Sequence, residues 1–160
     1  MGRKDDKETV IENLKRAASY NQAVLIIDLI YGLPAQDVDN FVNDLKIADS
    51  LPIDGMDLYQ LNVFEQSALK KAIDNGKIPP AATTKQQAKY LEAAISYLDE
   101  LAYKRLSVCH WAKTNRERSM YNTLAKSGAD VIPFGSGAGG FVGDISMFLN
   151  RDLQTLYECY

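Results

Sequence analysis

One carboxylate stands inside the most apolar stretch of this sequence. Asp28 interrupts Ala23 to Tyr31, AVLIIDLIY, a run rich in β-branched residues. Such a run reads as a strand buried on both faces of a parallel sheet. A carboxylate in that setting is costly unless it is hydrogen-bonded or paired. Asp28 either caps a neighbouring loop or serves a ligand. Ligands of parallel α/β sheets and barrels sit beyond the carboxyl ends of the strands, where an acid can accept both hydroxyls of a ribose.

Further along, five cations (Lys104, Arg105, Lys113, Arg116 and Arg118) and one anion, Glu117, fall between positions 104 and 118. They form either a solvated helix end or a docking patch for an acidic small molecule, because arginine binds carboxylates through a planar fork. The sole histidine, His110, follows Cys109 in a β-like segment. With one histidine and no nucleophile elbow, hydrolase chemistry has little support. No metal-ligand cluster has the required spacing. The stretch Gly135-Ser136-Gly137-Ala138-Gly139-Gly140 satisfies G-x-G-x-x-G. That pattern carries force only where it joins a strand to a helix N-terminus. Here it runs into Phe141-Val142-Gly143-Asp144-Ile145, which reads as turn and strand. It is a tight turn that lets backbone approach a ligand closely, not a dinucleotide site.

The elements that position these residues follow from periodicity. Val10, Ile11, Leu14, Ala17 and Ala18 place a helix over 7–20. The strand ending at Tyr31 stops at Gly32-Leu33-Pro34, and Asp37 caps a helix that buries Val38, Phe41, Val42 and Leu45. Gly55 to Leu61 is a second strand, at βαβ spacing. Val63 to Asn75 reads as a short helix ended by Gly76. Thr84 and Gln87 form a capping-box pair ahead of a helix whose core face carries Ala88, Leu91, Ile95 and Leu98. Tyr90, Tyr97 and Tyr103 are packing residues. Beyond Leu101 the pattern changes: an extended piece over 103–111, a polar helical piece over 115–126, a strand over 131–134, the glycine loop, an apolar run over 145–149, and a helix from Arg151.

The chain has 160 residues, is 46% hydrophobic and carries a net charge of −3. These values fit a globular protein with a real core and argue against nucleic-acid binding, which favours a basic excess. No apolar run is long enough to span a bilayer. The charged start, MGRKDDKET, lacks signal-peptide character, and the cysteines Cys109 and Cys159 suggest no disulfide framework. The expected setting is cytoplasmic.

The heptapeptide Asp28 to Pro34, DLIYGLP, followed by Gln36, resembles the radical S-adenosylmethionine enzymes related to oxygen-independent coproporphyrinogen oxidase. Gly2-Arg3-Lys4-Asp5-Asp6, Asp57-Leu58-Tyr59-Gln60-Leu61, Ser107-Val108-Cys109-His110-Trp111-Ala112 and Phe134 to Gly139 follow in matching order. Together they resemble the haem-utilisation branch, the anaerobilin synthases, which open haem anaerobically. The resemblance implies a partial radical-SAM-type β/α barrel over 1–102 and an α+β extension over 103–160. It implies that Asp28, Arg3, Tyr59 and Gln60 meet S-adenosylmethionine. It further implies that His110, Arg116, Arg118 and the loop glycines Gly135, Gly137 and Gly139 meet haem or a related tetrapyrrole. His110 is either structural or, with Cys109 beside it, an axial ligand or propionate partner, and Arg105, Lys113, Arg116 and Arg118 would suit two propionates.

Two departures from the family pattern stand out. Ala35-Gln36-Asp37 replaces Gly-Gln-Thr, which is expected to be harmless because Asp also caps helices. The C-x-x-x-C-x-x-C motif that holds the [4Fe–4S] cluster is missing from a sequence with two cysteines. The chain is therefore expected to correspond to the carboxy-terminal half of such an enzyme, to hold no cluster and to be inactive alone. Its expected partner is the missing amino-terminal half or a second copy, because half a barrel leaves strand edges unpaired. Two alternatives share the resemblance: a coproporphyrinogen oxidase-like decarboxylase, and a non-catalytic haem-binding chaperone.

Overall fold

The computed structural model describes residues 6–158. These fall into two compact units, divided between Arg118 and Ser119.

The first unit is built on α1 (Lys7–Ser19), β1 (Ile26–Tyr31), α2 (Val38–Asp49) and β2 (Gly55–Gln60). After them come α3 (Ala68–Asp74), α4 (Thr84–Glu100), β3 (Lys104–Arg105) and β4 (His110–Ala112). The sheet order is β1-β2-β4-β3. β1 and β2 are parallel, with Asp28 opposite Asp57 and Ile30 opposite Tyr59. β4 runs antiparallel to β2, which sets His110 opposite Asp57 and Trp111 opposite Met56. The expected strand, helix and strand over 23–61 therefore form the βαβ core of this unit.

One sheet face and the helices make the core. Phe41 and Leu45 of α2, Met56 and Leu58 of β2, Leu98 of α4 and Trp111 of β4 are the largest fully buried side chains. Burying each such side chain is worth about 1.5–3 kcal/mol. Tyr31, Phe41 and Tyr90 form an aromatic cluster with ring centroids 5.5–6.3 Å apart. The Arg105 guanidinium lies 5.0 Å from the Trp111 ring centroid.

Several local expectations shift. The capping box of α4 is Thr83 with Gln86, one residue earlier than Thr84 with Gln87. The core face turns with it, to Gln87, Tyr90, Ala94 and Leu98, while Ala88 is exposed. Gln87 turns inward instead, and its side-chain amide donates to the Leu61 carbonyl at 2.8 Å. The helix expected over 63–75 begins only at Ala68, where Ser67 caps it, and Phe64 is exposed. β3 and β4 are hydrogen-bonded into the first unit's sheet, and that unit runs on to Arg118.

The second unit holds α5 (Met120–Lys126), the antiparallel pair β5 (Gly139–Val142) and β6 (Ile145–Phe148), and α6 (Leu153–Glu158). Val131 bridges to Phe141, so the strand expected over 131–134 shrinks to a single bridge. No helix follows the glycine loop, which leads into β5 as expected.

Candidate functional site

Among the described residues of the first unit, no helix packs the second face of the sheet. Ile26, Asp28 and Ile30 are its β1 residues, and all three are exposed. Side chains two apart on a strand share a face, so Asp57 and Tyr59 of β2 and His110 of β4 stand beside them. Tyr59 is 42% exposed on this face, whereas His110 is only 4% exposed.

A row of polar contacts runs across it. The Tyr59 hydroxyl donates to Asp57 Oδ2 at 3.1 Å. Asp57 Oδ1 lies 2.5 Å from His110 Nδ1. On the far side of the ring, His110 Nε2 lies 3.1 Å from Glu117 Oε1, off the line of a hydrogen bond. Burial, followed by the Asp57 and Asp28 charges among others, pushes the Tyr59 phenol up to about 12.

The loop leaving β1 is fixed by its own motif. Gly32 takes a positive φ of 83°, and a side chain there would come within 2.9 Å of Gln87 Cγ. Only glycine meets both conditions without strain. The Gln36 side-chain oxygen accepts from the backbone N–H groups of Gly32, at 2.8 Å, and Leu33, at 3.2 Å. The Tyr90 hydroxyl donates to the Gln36 carbonyl. Asp37 caps α2 through the Asn40 N–H at 2.7 Å. Gly-Leu-Pro and Gln36 thus hold the carboxyl end of β1 at the mouth of the open face.

The structure brings Asp28 and Tyr59 onto one face of the sheet. Gln60 points to the opposite side of β2 from Tyr59, and its amide lies 3.3 Å from Asn62 Oδ1. Arg3 lies outside the described residues. His110 is enclosed, with a carboxylate beside each ring nitrogen.

Arg116 is likewise engaged. It donates to Asn21 Oδ1 at 2.9 Å and to the Ala23 carbonyl at 2.8 Å, and it lies 3.8 Å from Asp54. Asp54 itself accepts from the Leu25 N–H and the Thr114 hydroxyl, which keeps its carboxyl below the usual range despite burial. Arg118 is exposed and donates to the Asn115 carbonyl at 3.2 Å. Because Ala112 pairs with Gly55, this cation-rich segment follows β4 at the amino-terminal end of β1 and β2. That is the end opposite the one where ligands of parallel sheets bind. Arg116 is thus occupied within the first unit, and both arginines stand at that amino-terminal end.

Gly135, Gly137 and Gly139 belong to the second unit. Gly135 and Gly137 adopt positive φ, and Gly139 opens β5 beneath the Phe148 ring. Sequence reasoning missed Asp57 and Glu117 as partners of His110. The alternation of β2 was the available signal for Asp57, because it places residue 57 on the same face as Tyr59.

No family model matches the chain. It is 38% identical to anaerobilin synthase of Escherichia coli over 158 residues, which is 99% of this chain and 35% of that protein. It is 30% identical to an oxygen-independent coproporphyrinogen III oxidase of Helicobacter pylori over 123 residues, 75% of this chain and 25% of the relative. It is 25% identical to the heme chaperone HemW of Bacillus subtilis over 145 residues, 89% and 37%. In structure it matches coproporphyrinogen III oxidase of Escherichia coli, described as a radical SAM enzyme, with a TM-score of 0.76 at 22% identity. That match covers 98% of this chain and 38% of the solved one. The chain thus spans about a third of the length of its relatives. The resemblance carried by DLIYGLP extends along its whole length, and its fold is that of part of a radical SAM enzyme.

Proposed function

From a chain related along its length to about a third of the oxygen-independent coproporphyrinogen oxidase-like enzymes, we propose a role in anaerobic haem utilisation. It supplies one wall of the S-adenosylmethionine pocket and part of the tetrapyrrole site of such an enzyme. The observation that carries this reading is the 38% identity to anaerobilin synthase over 99% of the chain. The open sheet face supports it. Asp28 stands exposed at the middle of β1 and offers two acceptor oxygens to a ribose diol, with Tyr59 two residues further along the same face of the sheet.

The cluster does not fit this sequence. A [4Fe–4S] cluster of this family needs three closely spaced thiolates, and the sequence has two cysteines far apart. No step through a cluster is therefore assigned to these residues. In the complete enzyme S-adenosylmethionine supplies the radical chemistry, while the residues here bind and orient it. Gln60 and Arg3 remain proposed cofactor contacts, the loop glycines proposed substrate contacts, and the cytoplasm the proposed location.

The 25% identity to a heme chaperone favours a second reading, a module that binds haem without catalysis. Two titrations of the purified chain test these readings. S-adenosylhomocysteine should bind saturably, and Asp28→Asn should weaken it about tenfold, as expected for loss of a charged acceptor. Haem should bind with a saturable Soret change. Haem binding without nucleoside binding would support the chaperone-like module, and binding of neither would overturn both readings for this chain.

A further inference from the structure

We infer that Glu117, His110 and Asp57 are positioning residues that hold the Tyr59 hydroxyl beside Asp28, making Tyr59 an acceptor for a hydrogen-bond-donating ligand such as a ribose or an ammonium group. The inference rests on the proposed nucleoside site and gives Asp57 and Glu117 roles that the sequence reading did not.

The geometry builds outward from the floor of the open face. Glu117 is buried and lies against Gly55, where a side chain on residue 55 would come within 3.3 Å of Glu117 Cγ and 2.7 Å of the Trp111 carbonyl oxygen. Glycine at 55 therefore opens the space that Glu117 fills. Glu117 faces one nitrogen of His110, and Asp57 faces the other. With a carboxylate at each end, the ring is fixed in orientation rather than free to flip. Asp57 is fixed in turn: one oxygen meets His110, and the other accepts from Tyr59.

The consequence appears at the exposed end. The Tyr59 proton is committed to Asp57, so the phenol oxygen turns lone pairs to the open side. Asp28, opposite Asp57 in register, adds acceptor oxygens nearby. Two acceptors side by side select a ligand rich in donors and disfavour one that presents an anion.

The test uses the purified chain and the variants Glu117→Gln, Tyr59→Phe and Asp57→Asn. The first readout needs no ligand. With Tyr side chains ¹³C-labelled at Cζ and Tyr59 assigned by Tyr59→Phe, its signal should move in Glu117→Gln at unchanged far-UV dichroism. The His110 ring nitrogens, from the sole histidine, should move with it. The second readout is S-adenosylhomocysteine affinity. Tyr59→Phe and Glu117→Gln should each weaken it about three- to tenfold, the range of one neutral hydrogen bond. Asp57→Asn provides an independent break in the row if Glu117→Gln does not fold.

A Tyr59 signal unmoved by either break overturns the positioning inference even where the nucleoside binds. Binding that is lost in Asp28→Asn but unchanged in Tyr59→Phe removes Tyr59 as an acceptor. Failure of the parent chain to bind defeats the nucleoside reading and the acceptor role with it, while the Tyr59 signal still decides the positioning row.

Discussion

The two faces of one four-stranded sheet are built from alternate residues of the same strands, yet they do opposite work. On one face Met56, Leu58 and Trp111 are buried to within 1% of complete. On the other, their neighbours are Asp57, Tyr59 and His110, and the β1 residues Ile26 and Ile30 are 40% and 45% exposed. Burial is concentrated on the first face, and the proposed nucleoside contacts lie on the second. A period of two lets one short strand serve both, because successive side chains point to opposite sides.

The sharpest way to break the comparison is to truncate matched residues. Trp111→Ala, on the packed face, should cost about 3–5 kcal/mol, the range for deleting a buried aromatic. Ile30→Ala, on the open face, should cost about 1 kcal/mol or less. Urea unfolding of both variants checks this. Equal losses would mean that the open face contributes to the core of the isolated chain.

The exception on the open face is its enclosed polar row. His110→Ala leaves the Asp57 and Glu117 carboxylates without the ring that separates them. Leaving buried acceptors without a partner costs about 1–3 kcal/mol, and more for carboxylates. The loss should therefore approach that of Trp111→Ala, although His110 faces the opposite side. A loss below about 1 kcal/mol would show that the row is solvated in solution.

An alkaline titration separates the faces less strongly. Burial, followed by its hydrogen bond to Asp49, raises the Tyr103 phenol far above its ordinary value of 10.0, and Tyr59 is raised to about 12. A phenol held neutral in the folded state ionises first in the unfolded chain. Its contribution is therefore complete below pH 10 and is lost as pH rises toward the folded value. Stability should fall above about pH 10. Tyr103→Phe should flatten that fall more than Tyr59→Phe, because the Tyr103 shift is the larger. Identical slopes in parent and variants, followed by thermal melts at stepped pH, would contradict this.

These effects also mark how much could be read from the sequence. The run around Asp28 and the spacing to Gly55 specified the βαβ unit, because apolar periodicity and turn residues are local signals. The role of His110 was hidden because Asp57 is 53 residues away and only the antiparallel docking of β4 brings the two together. Arg116 read as a ligand group because a charged side chain looks the same in sequence whether it meets solvent, substrate or a carbonyl at position 23. The capping box moved by one residue because Thr83 and Thr84 are both good caps. Burial of Gln87 against Leu61 and Gly32 decided between them.

The loop that joins the two faces at the end of β1 carries a smaller and opposite effect. Replacement of Gly-Gln-Thr by Ala35-Gln36-Asp37 is harmless at Asp37, which caps α2. It is not harmless at Ala35, whose φ of 62° lies in the left-handed region. There Cβ crowds the following carbonyl, at a cost of roughly 1–2 kcal/mol. Glycine removes that strain, while the greater freedom it gives the unfolded chain returns about 0.4–1 kcal/mol. Ala35→Gly should therefore stabilise the chain by about 0.5–1 kcal/mol, read as a higher urea midpoint at constant slope. The substitution touches neither Asp28 nor Tyr59, so nucleoside affinity should not change. An Ala35→Gly chain no more stable than its parent would mean that the loop relaxes out of the left-handed conformation. The Gln36 contacts to Gly32 and Leu33 would then be the first to be lost, because Ala35 directly precedes the residue that makes them.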